Sequence, residues 1–227
     1  MQKCCFIVTS CIKPCDRPFN YINTRSVYTP DERLEQTQHT IDSIRKYCPD
    51  AYILLIDNGL EDMAAGVGGV DKHIYIGDRW LVRKAADSQY KTLGEFTLLI
   101  NAGKELIRLR QDFDVIFKLS GRYWLNDNFR YDNFAKDAFT FYHIANRSKN
   151  ILGYHDYVPG VHSTRLFSFP GKALREYYRA LWRAFPWFIK GESLEAAYAK
   201  HIGWPLYYVE TIGVSGNVGV DKDPKEE

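Results

Sequence analysis

Short polar clusters close several apolar runs of the chain, and each carries groups able to hold an anion or a sugar hydroxyl. Thr9-Ser10 follow CCFIV, Asp57-Asn58-Gly59 follow YILLI, and Ser120-Gly121-Arg122 follow VIFKL. A buried strand ordinarily stops in a turn, so one that ends on Lys118, Ser120 and Arg122 either caps a loop or receives a ligand. In a regular strand Lys118 and Ser120 share a side, opposite Leu119. The Asp57 carboxylate can accept from ribose hydroxyls or a base N–H, although Asp-Asn-Gly is equally a favourable turn sequence. Gly121 allows backbone to approach a ligand closely.

The elements that must position these clusters alternate in type. CCFIVTSC is short, apolar and β-branched, as suits a buried first strand. After a Pro-containing polar loop, Thr29 is an N-cap with Pro30 at the first helical position, and Leu34, Ile41, Ile44 and Tyr47 form one helical face that Pro49 terminates. AYILLIDNG and KHIYIG are further strands, separated by a Gly-rich turn, and residues 93–110 are helical before VIFKLS. DAFTFYHIA, STRLFSFP and PLYYVETIG supply strands, with helices at GKALREYYRALWRAF and GESLEAAYAKHI. Such alternation predicts an α/β, Rossmann-like fold with a mixed, mainly parallel central sheet flanked by helices, in one domain over residues 1–219 followed by a disordered charged tail, 220–227. Parallel sheets bind ligands at the carboxyl ends of their strands, where the clusters lie.

With 30 basic and 28 acidic residues mixed along 227, the net charge is only +2, so no field favours nucleic acid as a partner. All 5 cysteines precede residue 49 without paired CxxC spacing, which predicts reduced structural thiols. The apolar run near the N-terminus is too short for a secretory signal, and no run is long enough to span a membrane. A cytosolic protein is expected, peripheral to a membrane if its acceptor is lipid-linked.

The helix RLEQTQHTIDSIR, the strand end LIDNG, then FKLSGRYWLND, STRLFSFP and the Gly-Glu-initiated helix together resemble small GT-A-type nucleotide-sugar glycosyltransferases of the polysaccharide-building kind, over residues 4–216. That resemblance implies transfer of a sugar from a nucleotide-diphosphate donor to a glycan or glycolipid acceptor. Thr9, Ser10, Asp57 and Asn58 would hold the nucleoside, with Arg33 reaching a phosphate. Lys118, Ser120, Gly121 and Arg122 would face the diphosphate and donor sugar.

Most members end the fourth strand with Asp-x-Asp, which holds Mn2+ or Mg2+, and here that position reads Ser120-Gly121-Arg122. Asp112-Phe113-Asp114 precedes the strand and Asp221-Lys222-Asp223 lies in the tail, which leaves Asp127 as the remaining metal-ligand candidate. Arg122 offers a substitute, because a permanently charged guanidinium can fork onto phosphate oxygens; its alternative is a surface pair with Asp127. Transfer to a hydroxyl needs a base, for which Glu192 is preferred and Glu195 is second; acidic residues there also complement a helix dipole. His155, His162 and Trp124 are candidates for the acceptor side, and the glycines of GVSGNVG could wrap a diphosphate.

Two other functions are compatible with the same sheet. A sugar nucleotidyltransferase usually carries a Gly-rich, Arg- and Lys-containing loop after its first strand, and TSCIKPCDRP lacks those glycines. A non-catalytic nucleotide- or carbohydrate-binding module would bind without transfer.

Overall fold

The computed structural model describes residues 3–134, 137–142, 162–218 and 224–226. CCFIVTS forms β1 (Cys4–Ser10), buried along its whole length, as a strand covered on both faces must be. Helix α1 (Pro30–Tyr47) begins with a capping box: the Thr29 side chain accepts from the Glu32 N–H while the Glu32 carboxylate accepts from the Thr29 N–H. β2 (Tyr52–Asp57) and β3 (Lys72–Tyr75) follow, then α2 (Trp80–Ala86), α3 (Lys91–Leu109) and β4 (Val115–Ser120). Beyond β5 (Tyr123–Leu125) come β6 (Phe139–Tyr142), β7 (Leu166–Pro170), α4 (Leu174–Ile189), the short α5 (Leu194–Ala197), β8 (Leu206–Val209), β9 (Val214–Asn217) and β10 (Pro224–Glu226).

The central sheet runs β3-β2-β1-β4-β7-β6-β8. β1 is parallel to β2 and β4, β2 to β3, and β6 to β8, while β7 runs antiparallel to β4 and β6. This is the expected Rossmann-like, mainly parallel α/β sheet. Side-chain alternation splits the core into layers: Cys5, Ile7, Leu54, Ile56 and Ile116 pack under α3 and α4, while Phe6, Val8, Ile53, Leu55 and Phe117 pack under α1. The chain leaves β1 toward β2 and β3 and later returns to β4 on β1's other side. The strand order therefore reverses between β1 and β4, and a crevice opens at their carboxyl ends.

Several local expectations change. Helix α2 lies in a stretch without an apolar stripe, and its first residues Trp80 and Leu81 are exposed. FKLSGRYWLND holds a second strand, β5, which pairs with β9. GVSGNVG, read from its glycines as a diphosphate wrap, is largely this β9. A Cβ on Gly216 would stand 2.3 Å from the Tyr123 ring, so glycine is needed for the two strands to meet. Where the sequence suggests a disordered tail, Pro224–Glu226 pairs antiparallel with β9. Among the described residues no helix is long and apolar enough to cross a membrane.

Candidate functional site

The crevice holds a cavity of about 230 Å³, room for far more than a single ion, since one water needs only about 10–15 Å³ of such space. β1 contributes Thr9 and Ser10, the end of β4 contributes Ser120, Gly121 and Arg122, and α1 contributes Arg33 and Thr37. Asn58, Lys91 and Glu95 close one side, Thr164, Arg165 and Glu195 another, and the loop after β1 brings Phe19, Tyr21 and Arg25 to the mouth. Thus Thr9, Ser10, Arg33, Asn58, Ser120, Gly121, Arg122 and Glu195 are brought together from the candidates named above.

The inner face of α1 explains how the β4 end is held. Arg33, Thr37, Thr40 and Ser43 are buried on that helix although polar. The Thr37 hydroxyl reaches the Gly121 carbonyl at 3.1 Å, and the Ser43 hydroxyl accepts from the Leu125 N–H at 3.0 Å. Gly121 itself donates to the Thr9 carbonyl at 2.8 Å. A Cβ there would stand 3.2 Å from that carbonyl, tighter than ordinary contact, so the close approach of the two strand ends favours glycine.

Most cations of the cavity are already engaged. Arg25 donates to the carbonyls of Arg17 at 2.7 Å and Ser88 at 2.6 Å, and to that of Ala86. Arg33 donates to the Cys11 carbonyl at 2.8 Å and the Ser26 hydroxyl at 3.1 Å. Lys91 faces Glu95 at 3.9 Å. Arg122 differs: its Nη1 is buried and has no hydrogen-bond partner among the described residues. Asp127, its alternative partner, is 92% exposed and instead binds Tyr47 and Lys46.

Charges in the crevice strain one another. Burial, and then the neighbouring Arg122 charge, push Arg33 down to about 10. Burial pushes Lys118 down to about 8, with Lys91 and Arg122 adding to it and Glu95 and Glu195 opposing. Lys118 lies beneath the cavity, fully buried, donating to the Ser120 hydroxyl at 2.6 Å and the Thr164 carbonyl at 2.5 Å. Burial pushes Glu195 up, but Lys91, hydrogen bonds including the Thr164 hydroxyl at 2.9 Å, and Lys118 outweigh it and hold the carboxyl below its usual range. Cations that depress one another around a guanidinium whose Nη1 has no partner among the described residues make a site suited to an anion.

The other candidates lie elsewhere. Asp57 is buried beneath the loop and accepts from the N–H groups of Ile12 at 2.9 Å and Gly59 at 2.8 Å, so its carboxylate builds the turn and does not line the cavity. The Asn58 amide lines the cavity but donates to the Gly94 carbonyl at 3.0 Å and the Thr97 hydroxyl at 3.2 Å, stapling β2 to α3. Glu192 is half-buried outside the cavity, where its N–H caps the Trp187 carbonyl at 3.1 Å. Trp124 stacks on His39 at 4.6 Å beside a separate shallow pocket. His162 is buried against Tyr208, ring centroids 5.2 Å apart, and its backbone N–H donates to the Glu195 carbonyl. His155 lies outside the described residues.

Among the described residues no group of three or more His, Cys, Asp or Glu is gathered to hold a metal. Asp114 accepts from the Lys3 N–H at 2.8 Å at the opposite edge of the sheet, and Asp221-Lys222-Asp223 lies outside the described residues. Mg2+ is ordinarily held by one or two carboxylates together with substrate phosphates rather than by an all-protein cage, and Glu95 and Glu195 are the carboxylates that line the cavity. The cysteines Cys4, Cys5, Cys11, Cys15 and Cys48 are free thiols, and burial pushes Cys11, beside the cavity, up to about 11.

Residues missed by sequence reasoning are Tyr21, Lys91, Glu95, Thr37, Thr164 and Arg165. Arg33 and Thr37 stand one helical turn apart on the face of α1 turned inward, and Lys91 and Glu95 one turn apart at the start of α3. Polar pairs at this spacing beside an apolar stripe were the available signal.

No family model and no curated protein sequence matches the chain. Its fold is similar to that of the bifunctional IspDF from Campylobacter jejuni, with a TM-score of 0.52 and 12% identity over 97% of this chain and 52% of that one. The chain thus spans about half the length of the protein it matches. At such identity the likeness shows the fold alone. It corrects the resemblance to GT-A glycosyltransferases: a solved structure that the chain follows over nearly its whole length is IspDF, which is not a glycosyltransferase. The motifs that suggested that family are strand ends and helix caps, which a mainly parallel sheet of this kind needs whatever its chemistry.

Proposed function

We propose that the chain is a nucleotide-dependent enzyme of nucleotidyltransferase type, which binds a nucleoside triphosphate in the crevice between β1 and β4 and passes its nucleotidyl group to a phosphorylated small molecule such as a sugar phosphate. The observation that carries this reading is Arg122, whose Nη1 is buried without a partner among the described residues, at the point where the strand order reverses. In nucleotidyl transfer an oxygen of the acceptor phosphate bonds to the α-phosphorus, the bond from that phosphorus to the bridging oxygen breaks, and pyrophosphate leaves with the electron pair. Negative charge grows on the phosphate oxygens during this exchange, and a guanidinium fork can stabilise it.

The state of Glu195 favours a phosphate nucleophile over a hydroxyl. A hydroxyl acceptor needs a base for its proton. Of the two carboxylates of the cavity, that of Glu195 accepts from Thr164 and is held below its usual range, and that of Glu95 is paired with Lys91 at 3.9 Å, which makes both poor ones. A phosphate monoester is already ionised near neutral pH, its second pKa being about 6, and attacks without one. The missing glycines after β1 are offset by donors from other elements, Arg122 from the β4 end and Lys91 from α3.

The test is pyrophosphate release from a panel of nucleoside triphosphates, each with a panel of sugar phosphates. Release that requires both partners supports the reading. Binding without release would favour the non-catalytic module, a reading consistent with both carboxylates of the cavity lying beside Lys91.

A further inference from the structure

We propose that Tyr21 is the platform on which the nucleobase of the substrate stacks, held ready by Phe19 and Arg25; the proposal rests on the nucleotide reading above. Tyr21 is 52% exposed although aromatic, and it lines the same cavity as Arg122. Its ring stacks parallel to that of Phe19, with centroids 5.6 Å apart and planes 3° apart, and both residues line the cavity. The Arg25 guanidinium sits over the Phe19 ring, 4.4 Å from its centroid.

The stack is anchored rather than loose. Arg25 is fixed by its donations to the carbonyls of Arg17, Ala86 and Ser88. The Asn20 N–H donates to the Gln89 carbonyl at 3.1 Å, and a bridge between Phe19 and Ile22 closes the turn that carries Tyr21. An aromatic surface ordered before binding loses little entropy when a ligand arrives. Every nucleobase has a π-face, so such a platform accepts a base through stacking. A ligand bearing an aromatic ring at one end and phosphates at the other would use both Tyr21 and Arg122.

Titration of the wild-type chain, Tyr21→Ala, Tyr21→Trp and Arg122→Ala with each common ribonucleoside triphosphate and with inorganic tripolyphosphate tests this. The expected result is that Tyr21→Ala weakens the best-bound nucleotide roughly five- to hundredfold, leaves tripolyphosphate unchanged, and that Tyr21→Trp retains nucleotide binding. Unchanged nucleotide affinity in Tyr21→Ala, with loss in Arg122→Ala, would overturn the platform and leave the nucleotide reading standing. Equal weakening of nucleotide and tripolyphosphate by Tyr21→Ala would also overturn it, since the residue would then act on the loop. If the wild-type chain binds neither ligand, the nucleotide reading falls and the platform with it.

Discussion

The Thr164 hydroxyl donates to Oε1 of Glu195 at 2.9 Å, tying the segment that enters β7 to helix α5 at the floor of the crevice. Lys118 donates to the carbonyl of the same threonine at 2.5 Å. One residue therefore couples a carboxylate and a buried ammonium, and these two groups set how the protein should respond to pH.

Glu195 is expected to stabilise the fold above its unfolded pKa near 4.5, because its folded value is lowered. Burial alone opposes this, but Lys91, the hydrogen bonds and Lys118 outweigh it. Protonation costs that stability as pH falls through the folded value. Denaturant unfolding of Glu195→Gln should show a loss of about 1–3 kcal/mol at pH 7 relative to wild type, shrinking as both are acidified below pH about 4. A loss that is independent of pH would show that the charge plays no part.

Lys118 shifts the opposite end of the pH scale. Its folded pKa, lowered to about 8 from 10.5 chiefly by burial, means that the unfolded chain binds more protons between those values. Stability attributable to this residue should therefore rise with pH across that window and be lowest below pH 8. Lys118→Met, which keeps length without charge, should lack this rise, so the wild-type-minus-variant difference in stability measured by chemical unfolding should increase from about pH 8 to 10.

Gly121→Ala should destabilise the chain by about 1–3 kcal/mol through overpacking. The new Cβ would meet the Thr9 carbonyl at 3.2 Å and the Thr37 hydroxyl at 3.3 Å. Neither can retreat easily, since Thr9 belongs to a central strand and Thr37 is bonded to the Arg33 and Gly121 carbonyls. A thermal midpoint equal to that of wild type would show that β1 and β4 can spread at this point.

Local signals made the first half of the fold legible. CCFIVTS, YILLID and VIFKLS are apolar runs of strand length, and Thr29, Pro30 and Glu32 form a helix start within a few residues. β5 and β9 were not legible as a pair, because each is short and their pairing joins Tyr123 to Gly216, far apart in sequence. The rule that ligands sit at strand ends led to Thr9, Ser10, Ser120, Gly121 and Arg122. It also led to Asp57, where the competing turn chemistry of Asp-Asn-Gly prevailed. Tyr21 and Lys91 reach the crevice from a loop and a helix start, whose placement depends on tertiary packing such as the Arg25 clamp.

The account stands most directly on Arg122. Calorimetric titration of a nucleoside triphosphate into the wild-type chain and into Arg122→Ala, with the fold of the variant checked by circular dichroism, measures its part. The account predicts binding to the wild type and a loss of about 2–4 kcal/mol in the variant, the scale of a charge-assisted contact to a buried guanidinium. Equal affinity in the two proteins would contradict it.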